Sequence, residues 1–124
     1  EYSAHRDVLT PENYSCILHG HPKFSVILSM LCDKENCNNR GLCYKKCSEK
    51  RFAGNTPIIP GEVGTGPTGL SKTLPVALKD NMAAIVYGHG VFVKGKNDFR
   101  ECLNTLAGIE KLCFEEYLER IKHS

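Results

Sequence analysis

The sequence lacks long apolar runs and an excess of charge of one sign. No apolar stretch approaches the ~20 residues of a membrane-spanning helix, and no signal peptide is visible. The 16 basic and 14 acidic side chains are mixed along the chain and leave a formal net charge of +2. This balance gives no indication of a nucleic-acid or membrane surface, so we expect neither as a partner.

The chain also lacks internal repeats and a complete phosphate-binding loop. The glycine-rich segment 61–69 has no Gly-Lys-Ser/Thr ending, and no strand-to-helix frame surrounds it. We interpret it as a loop near the functional site. At 124 residues the chain is predicted to form one domain, residues 1–124, which buries roughly two-thirds of its unfolded surface.

Cysteine is plentiful, and its seven copies are an odd number, so at least one has no disulfide partner within the chain. Cys16, Cys102 and Cys113 lie in strand or helix patterns and are predicted to be small buried hydrophobic residues. Reduced thiols in a cytoplasmic protein fit this distribution better than a secreted disulfide scaffold does.

The remaining cysteines lie in one polar loop at about residues 32–47 that has almost no apolar residue to order it. They are Cys32, Cys37, Cys43 and Cys47. A zinc ion or an iron–sulfur cluster would order such a loop, and the first and last spacings suit zinc. The middle spacing matches neither a zinc ribbon nor a ferredoxin, so free thiols and disulfides remain alternatives.

The hydrophobic pattern predicts an α/β fold with few elements. Strands are predicted at 14–18, 83–87 and 91–94, and helices at 22–31 and 70–79. Segment 56–60 is interrupted by prolines and is predicted to lie at a sheet edge at best. From residue 99 an amphipathic helix is predicted to turn one apolar stripe to the core. The stripe comprises residues 99, 102, 103, 106, 109, 113, 117 and 121, and Glu110 is placed among the charged residues opposite it.

Histidines follow two of the predicted strands. His19 and His21 are two residues apart at the end of the first strand, so an extended backbone would turn both imidazoles to one side. His89 lies between two glycines after a second strand, where another group can approach closely. Three neutral nitrogen ligands leave a coordination position open on a divalent metal, as a catalytic site requires. The pattern therefore indicates a divalent-metal site at His19, His21 and His89, with zinc as the first candidate. Hydrogen-bonded loop histidines that bind no metal are the alternative at this point.

In this order the motifs resemble those of the class II aldolase/adducin family. The resemblance rests on Glu-x-x-x-His (Glu1, His5), a strand ending in His-x-His-Pro, a Pro…Gly-Thr segment, a strand–His-Gly–strand–Gly-Lys sequence and a long final helix. It covers almost the whole chain, apart from the cysteine loop, which resembles an insertion. The fold it implies is a central, mostly antiparallel sheet flanked by helices, an α+β sandwich that is incomplete at its amino terminus.

The resemblance also implies a function and roles for individual residues. It implies a zinc-dependent lyase for a ketose phosphate, in which zinc stabilises an enediolate and a carboxylate moves the proton. His19, His21 and His89 would be the zinc ligands, Glu1 the acid/base, with Glu12 as an alternative, and Tyr44 a candidate proton donor. A homo-oligomer, a tetramer in the family, is expected. A longer natural protein is also expected, because the part that holds substrate phosphate in the family would precede Glu1.

Other functions remain open at this point. The family includes epimerases, dehydratases and decarboxylases with the same ligand set, as well as adducin, which has the fold without catalysis. An unrelated metal hydrolase that uses His-x-His and a distant histidine is a further alternative.

Overall fold

The computed structural model describes residues 16–32, 51–60, 70–95 and 99–122. Within these ranges the chain forms five strands and three helices. The strands are β1 (Cys16–Gly20), β2 (Arg51–Ala53), β3 (Thr56–Ile59), β4 (Ala83–Val86) and β5 (Gly90–Gly95). The helices are α1 (Lys23–Ser29), α2 (Leu70–Asp80) and α3 (Phe99–Lys122). None of the described helices has both the length and the hydropathy needed to cross a bilayer.

The strands form one sheet in the order β1-β5-β4-β3-β2. The pairs β1–β5, β5–β4 and β3–β2 are antiparallel, and β3–β4 is parallel. The expectation of a mixed α/β fold with a mostly antiparallel sheet is therefore confirmed. The pairing places the end of β1 beside the start of β5, with Gly20 opposite Val91.

The prediction that segment 56–60 lies at a sheet edge is wrong. Strand β3 lies between β2 and β4, and among the described strands the short β2, which the sequence pattern did not indicate, is the outermost on that side. Proline is tolerated there because Pro57 pairs only with Phe52 of β2, whereas the pairing with β4 involves Ile58 and Ile59. The missing N–H therefore lies outside the contact with β4.

Both faces of the sheet are covered, which explains the continuous apolar runs of β4 and β5. Alternate residues of these strands serve opposite layers. Ile85 and Val93 belong to the layer beneath α1 and α3, whereas Val86 and Phe92 belong to the layer beneath α2. Lys94 is only 4% exposed, and its Nζ donates to the Leu78 carbonyl oxygen near the C-terminal end of α2. A cation is favourable at that end of a helix.

Helix α3 buries a narrower face than its apolar stripe predicts. Cys102, Ile109 and Cys113 are buried, which confirms the prediction for both cysteines. Leu103 and Ile121 belong to the same stripe but are 54% and 52% exposed, and Phe99 is exposed as well. Leu103 lies about 100° around the helix from Cys102, so contact with the sheet does not reach it. The stripe prediction is therefore wrong for these three residues.

Candidate metal centre

The strand pairing brings the predicted histidines to one end of the sheet. His19 is the fourth residue of β1 and pairs with Phe92 of β5. His21 follows directly after β1. His89 lies in the turn between β4 and β5, after Gly88, whose φ of 62° is the left-handed conformation that suits glycine. Residues far apart in sequence therefore meet because β1 and the β4–β5 turn are neighbours.

The three imidazoles are close enough to serve one ion. The ligand atoms of His19, His21 and His89 all lie within 4.8 Å of one another. The Nε2 atoms of His19 and His21 are 3.1 Å apart. His19 and His89 are stacked with ring centroids 5.0 Å apart, while His21 stands edge-on to His19. The structure thus brings together the three side chains that the sequence singles out.

A backbone hydrogen bond orients His19. Its Nδ1 lies 3.2 Å from the Val91 carbonyl oxygen, which can only accept a hydrogen bond. Nδ1 therefore carries the proton, and the lone pair of Nε2 is directed to the side where His21 lies. Metal-binding histidines commonly donate their other ring N–H in this way, which fixes the tautomer and the ring orientation.

The imidazoles contact a buried aromatic ring on one side and the backbone at Gly90 on another. The Phe92 ring, fully buried, stacks against His19 with centroids 3.9 Å apart. At Gly90 there is no room for a side chain, because a Cβ would overlap the Gly20 carbonyl oxygen and lie 3.0 Å from His21 Cδ2. His19 and His89 are half-buried and His21 is exposed. The centre is thus closely packed on the side of Phe92 and Gly90 and open to solvent on the side of His21.

This arrangement fits a divalent metal with nitrogen ligands. Nitrogens that bind one zinc tetrahedrally at about 2.0–2.1 Å lie roughly 3.3 Å apart. The observed Nε2–Nε2 distance of 3.1 Å is close to that value, and the ligand atom of His89 lies within 4.8 Å of the other two. Two imidazole nitrogens cannot direct lone pairs at each other at this distance without a proton or a cation between them. The donor set therefore suits zinc or a similar ion.

Most other predicted site residues lie outside the described part of the chain. They are Glu1, Glu12, Tyr44, Cys37, Cys43 and Cys47. Cys32 is described and is an exposed free thiol. The roles of Glu1 and Tyr44 and the state of the cysteine loop stay predictions.

The structure also reveals two polar residues beside the centre that the sequence analysis missed. Ser29 is fully buried in α1 and accepts a hydrogen bond from the Gly88 N–H, next to His89. Glu110 of α3, predicted to lie opposite the core stripe, instead binds the first turn of α1. The sequence contains one indication of this contact. Glu110 lies one helical turn from Leu106 and one from Cys113, which places it at the border of the buried face.

Comparison with known proteins supplies independent information. The family described as Class II Aldolase and Adducin N-terminal domain matches residues 1–117. Among solved structures, the L-fuculose-1-phosphate aldolase from Thermus thermophilus matches with a TM-score of 0.68 and 17% sequence identity. The match covers 100% of this chain and 62% of that chain. The comparison with curated proteins found no significant match.

Proposed function

Because the chain belongs to the class II aldolase and adducin N-terminal domain family, we propose that it is a zinc-dependent lyase of the aldolase type. The proposed reaction is retro-aldol C–C cleavage of a phosphorylated ketose. The observation that carries the proposal is the convergence of His19, His21 and His89, whose ligand atoms lie within 4.8 Å of one another. A non-catalytic domain of this fold has no need to keep three imidazoles at such distances.

The proposed chemistry follows from the donor set. A zinc ion bound here supplies a Lewis acid that polarises a substrate carbonyl or hydroxyl oxygen. Three neutral imidazoles hold such an ion without cancelling its charge. The hydrogen bond from His19 Nδ1 to the Val91 carbonyl oxygen keeps the Nε2 lone pair on the side of His21. The exposed position of His21 leaves the open side for a sugar phosphate.

The residues proposed to transfer protons are those that the family resemblance implies. We propose Glu1 as the acid/base and Tyr44 as the donor to the departing aldehyde, both by family resemblance. A carboxylate and a phenol are suitable groups, since each can move a proton when it lies within hydrogen-bond reach of the substrate.

The extent of the match limits the proposal to the metal-binding part of such an enzyme. The chain spans 62% of the length of the solved aldolase, which is named for L-fuculose 1-phosphate. The sugar-phosphate substrate, a homo-oligomeric assembly and a cytoplasmic location are therefore parts of the proposal.

The test is cleavage of ketose 1-phosphates by the purified protein, with and without added zinc. Aldehyde release is followed with a coupled dehydrogenase. We expect activity that requires zinc and that is lost in His89→Ala together with zinc binding. His123→Ala, which changes a histidine outside the predicted ligand set, is the matched control and should retain both.

Two results would contradict the proposal in different ways. Zinc-dependent activity that persists in His89→Ala would exclude the proposed centre. Tight zinc binding at the three histidines without turnover of any ketose phosphate would favour a non-catalytic, adducin-like domain.

A further inference from the structure

Helix α1 begins without a cap of its own. Its N-cap residue is Pro22, which makes no side-chain hydrogen bond, and its first turn contains no acidic residue. The first N–H groups of any helix have no partner within the helix and require one from elsewhere. In α1 these groups are separated from His21 by only Pro22 and Lys23, so whatever binds them also restrains the backbone near a predicted metal ligand.

Glu110 of α3 supplies the missing partner. Its Oε2 accepts a hydrogen bond of 2.8 Å from the Phe24 N–H. Its Oε1 accepts two more, each 2.8 Å, from the Ser25 N–H and the Ser25 hydroxyl. Hydrogen bonds to a carboxylate are stronger than those between neutral groups, and a negative charge is favourable at this end of a helix. A residue 85 positions from Ser25 in sequence thus holds the start of α1.

Ser29 makes the corresponding connection at the other end of α1. Its hydroxyl donates to the Val26 carbonyl oxygen over 2.7 Å and accepts a hydrogen bond of 2.9 Å from the Gly88 N–H. Ser29 is fully buried, so bulk water does not compete for its hydroxyl. Gly88 immediately precedes His89 in the turn, and this contact therefore fixes the backbone next to the third predicted ligand.

We infer that Glu110 and Ser29 are positioning residues for the metal centre, acting through α1. Glu110 fixes the end of α1 that follows His21, and Ser29 fixes the turn that carries His89. Helix α1 is only about 10 Å long, so both ends are set by one short rigid element. The inference rests on the proposed metal-binding function, and neither residue is proposed to touch the metal or the substrate.

The experiment compares zinc affinity in Glu110→Gln and Ser29→Ala with that of the unaltered protein. Glu110→Gln replaces one acceptor oxygen by an NH₂ group that faces an N–H donor. Ser29→Ala removes the acceptor of the Gly88 N–H with little change in volume. Loss of a group that hydrogen-bonds a metal ligand directly typically weakens metal binding by about 10- to 100-fold. Glu110 and Ser29 act through the backbone beside the ligands, so we expect zinc affinity to fall by about tenfold, the lower end of that range, in each variant. Glu115→Gln, an exposed residue on the same helix, is the control for charge and should bind like the unaltered protein.

Two further readouts separate positioning from general stabilisation. The visible absorption of bound Co²⁺ reports coordination geometry, and we expect its bands to change in Glu110→Gln and Ser29→Ala but not in Glu115→Gln. The increase in melting temperature on adding zinc should shrink in both variants, because stabilisation by a ligand depends on its affinity. A purely structural role would lower the melting temperature with and without zinc equally.

The possible outcomes are distinct. Unchanged zinc affinity and Co²⁺ spectrum in folded Glu110→Gln and Ser29→Ala would overturn the inference and leave the proposed function intact. An equal loss in Glu115→Gln would also overturn it, since the effect would then be one of overall charge. If Glu110→Gln does not fold, Ser29→Ala decides. Failure of the unaltered protein to bind zinc would overturn both proposals.

Discussion

Replacing Gly90 by alanine should disrupt the metal centre and also lower the stability of the fold. Gly90 opens β5, beside the end of β1. An added Cβ would overlap the Gly20 carbonyl oxygen and lie 3.0 Å from His21 Cδ2 and 3.2 Å from His19 Cε1. The overlap with a backbone atom cannot be relieved by a change of rotamer, so β1 and β5 have to separate locally.

The size of the effect follows from these distances. Ordinary contacts begin near 3.4 Å, so the His21 ring would have to retreat by about 0.4 Å in addition to the backbone shift. Binding constellations tolerate displacements of only about 0.5 Å. Overpacking of this kind costs about 1–3 kcal/mol of unfolding free energy. We expect zinc affinity to fall at least about tenfold, or about 1.4 kcal/mol, in protein that remains folded.

The assay is zinc titration against a chromophoric chelator, with thermal melts of the zinc-free protein recorded in parallel. Gly108→Ala is the matched control, because nothing lies within 4 Å of a Cβ at that helical position. That change should leave zinc binding unaltered and raise stability by about 0.5–1 kcal/mol. Zinc affinity and stability of Gly90→Ala equal to those of the unaltered protein would refute the reasoning.

Two further predictions concern Phe92 and Cys113. Phe92→Ala removes a fully buried ring stacked on His19 and should lower the unfolding free energy by about 3–5 kcal/mol; a loss below about 1 kcal/mol in urea titration would contradict this. Burial raises the pKa of the Cys113 thiol above its ordinary value of 9.0, with Glu110 and Glu116 adding to the shift and a hydrogen bond with Ser25 opposing it. The contribution of this neutral thiol to the free energy of unfolding is therefore fully present below about pH 9. It is lost as the pH rises through the raised pKa. Cys113 should also resist alkylation of the folded protein, whereas exposed Cys32 should react, as mass spectrometry of labelled peptides would show.

Local pattern predicted the elements whose burial is continuous or strongly periodic. Strands β4 and β5 and helix α2 were predicted close to their observed bounds, because each is an apolar or amphipathic run flanked by turn residues. The site histidines were singled out because each follows a predicted strand. That they meet depends on the pairing of β1 with β5, a contact between segments far apart in sequence.

What the sequence did not predict depends on tertiary contacts. Strand β2 is three residues long and carries no periodic signal, and β3 is interior only because β2 covers it. The two polar residues beside the centre were not predicted from the sequence for a similar reason. Glu110 and Ser29 are ordinary helix residues in the sequence, and their partners, the first turn of α1 and the Gly88 N–H, become neighbours only in the fold.

The most direct test of the account is X-ray absorption spectroscopy of the protein loaded with one equivalent of zinc. With the metal on His19, His21 and His89, we expect nitrogen and oxygen neighbours at about 2.0–2.1 Å, with multiple scattering from three imidazoles. The imidazole signal should decrease in His19→Ala, His21→Ala and His89→Ala. A shell of sulfur at about 2.3 Å would place the metal on cysteines and contradict the account.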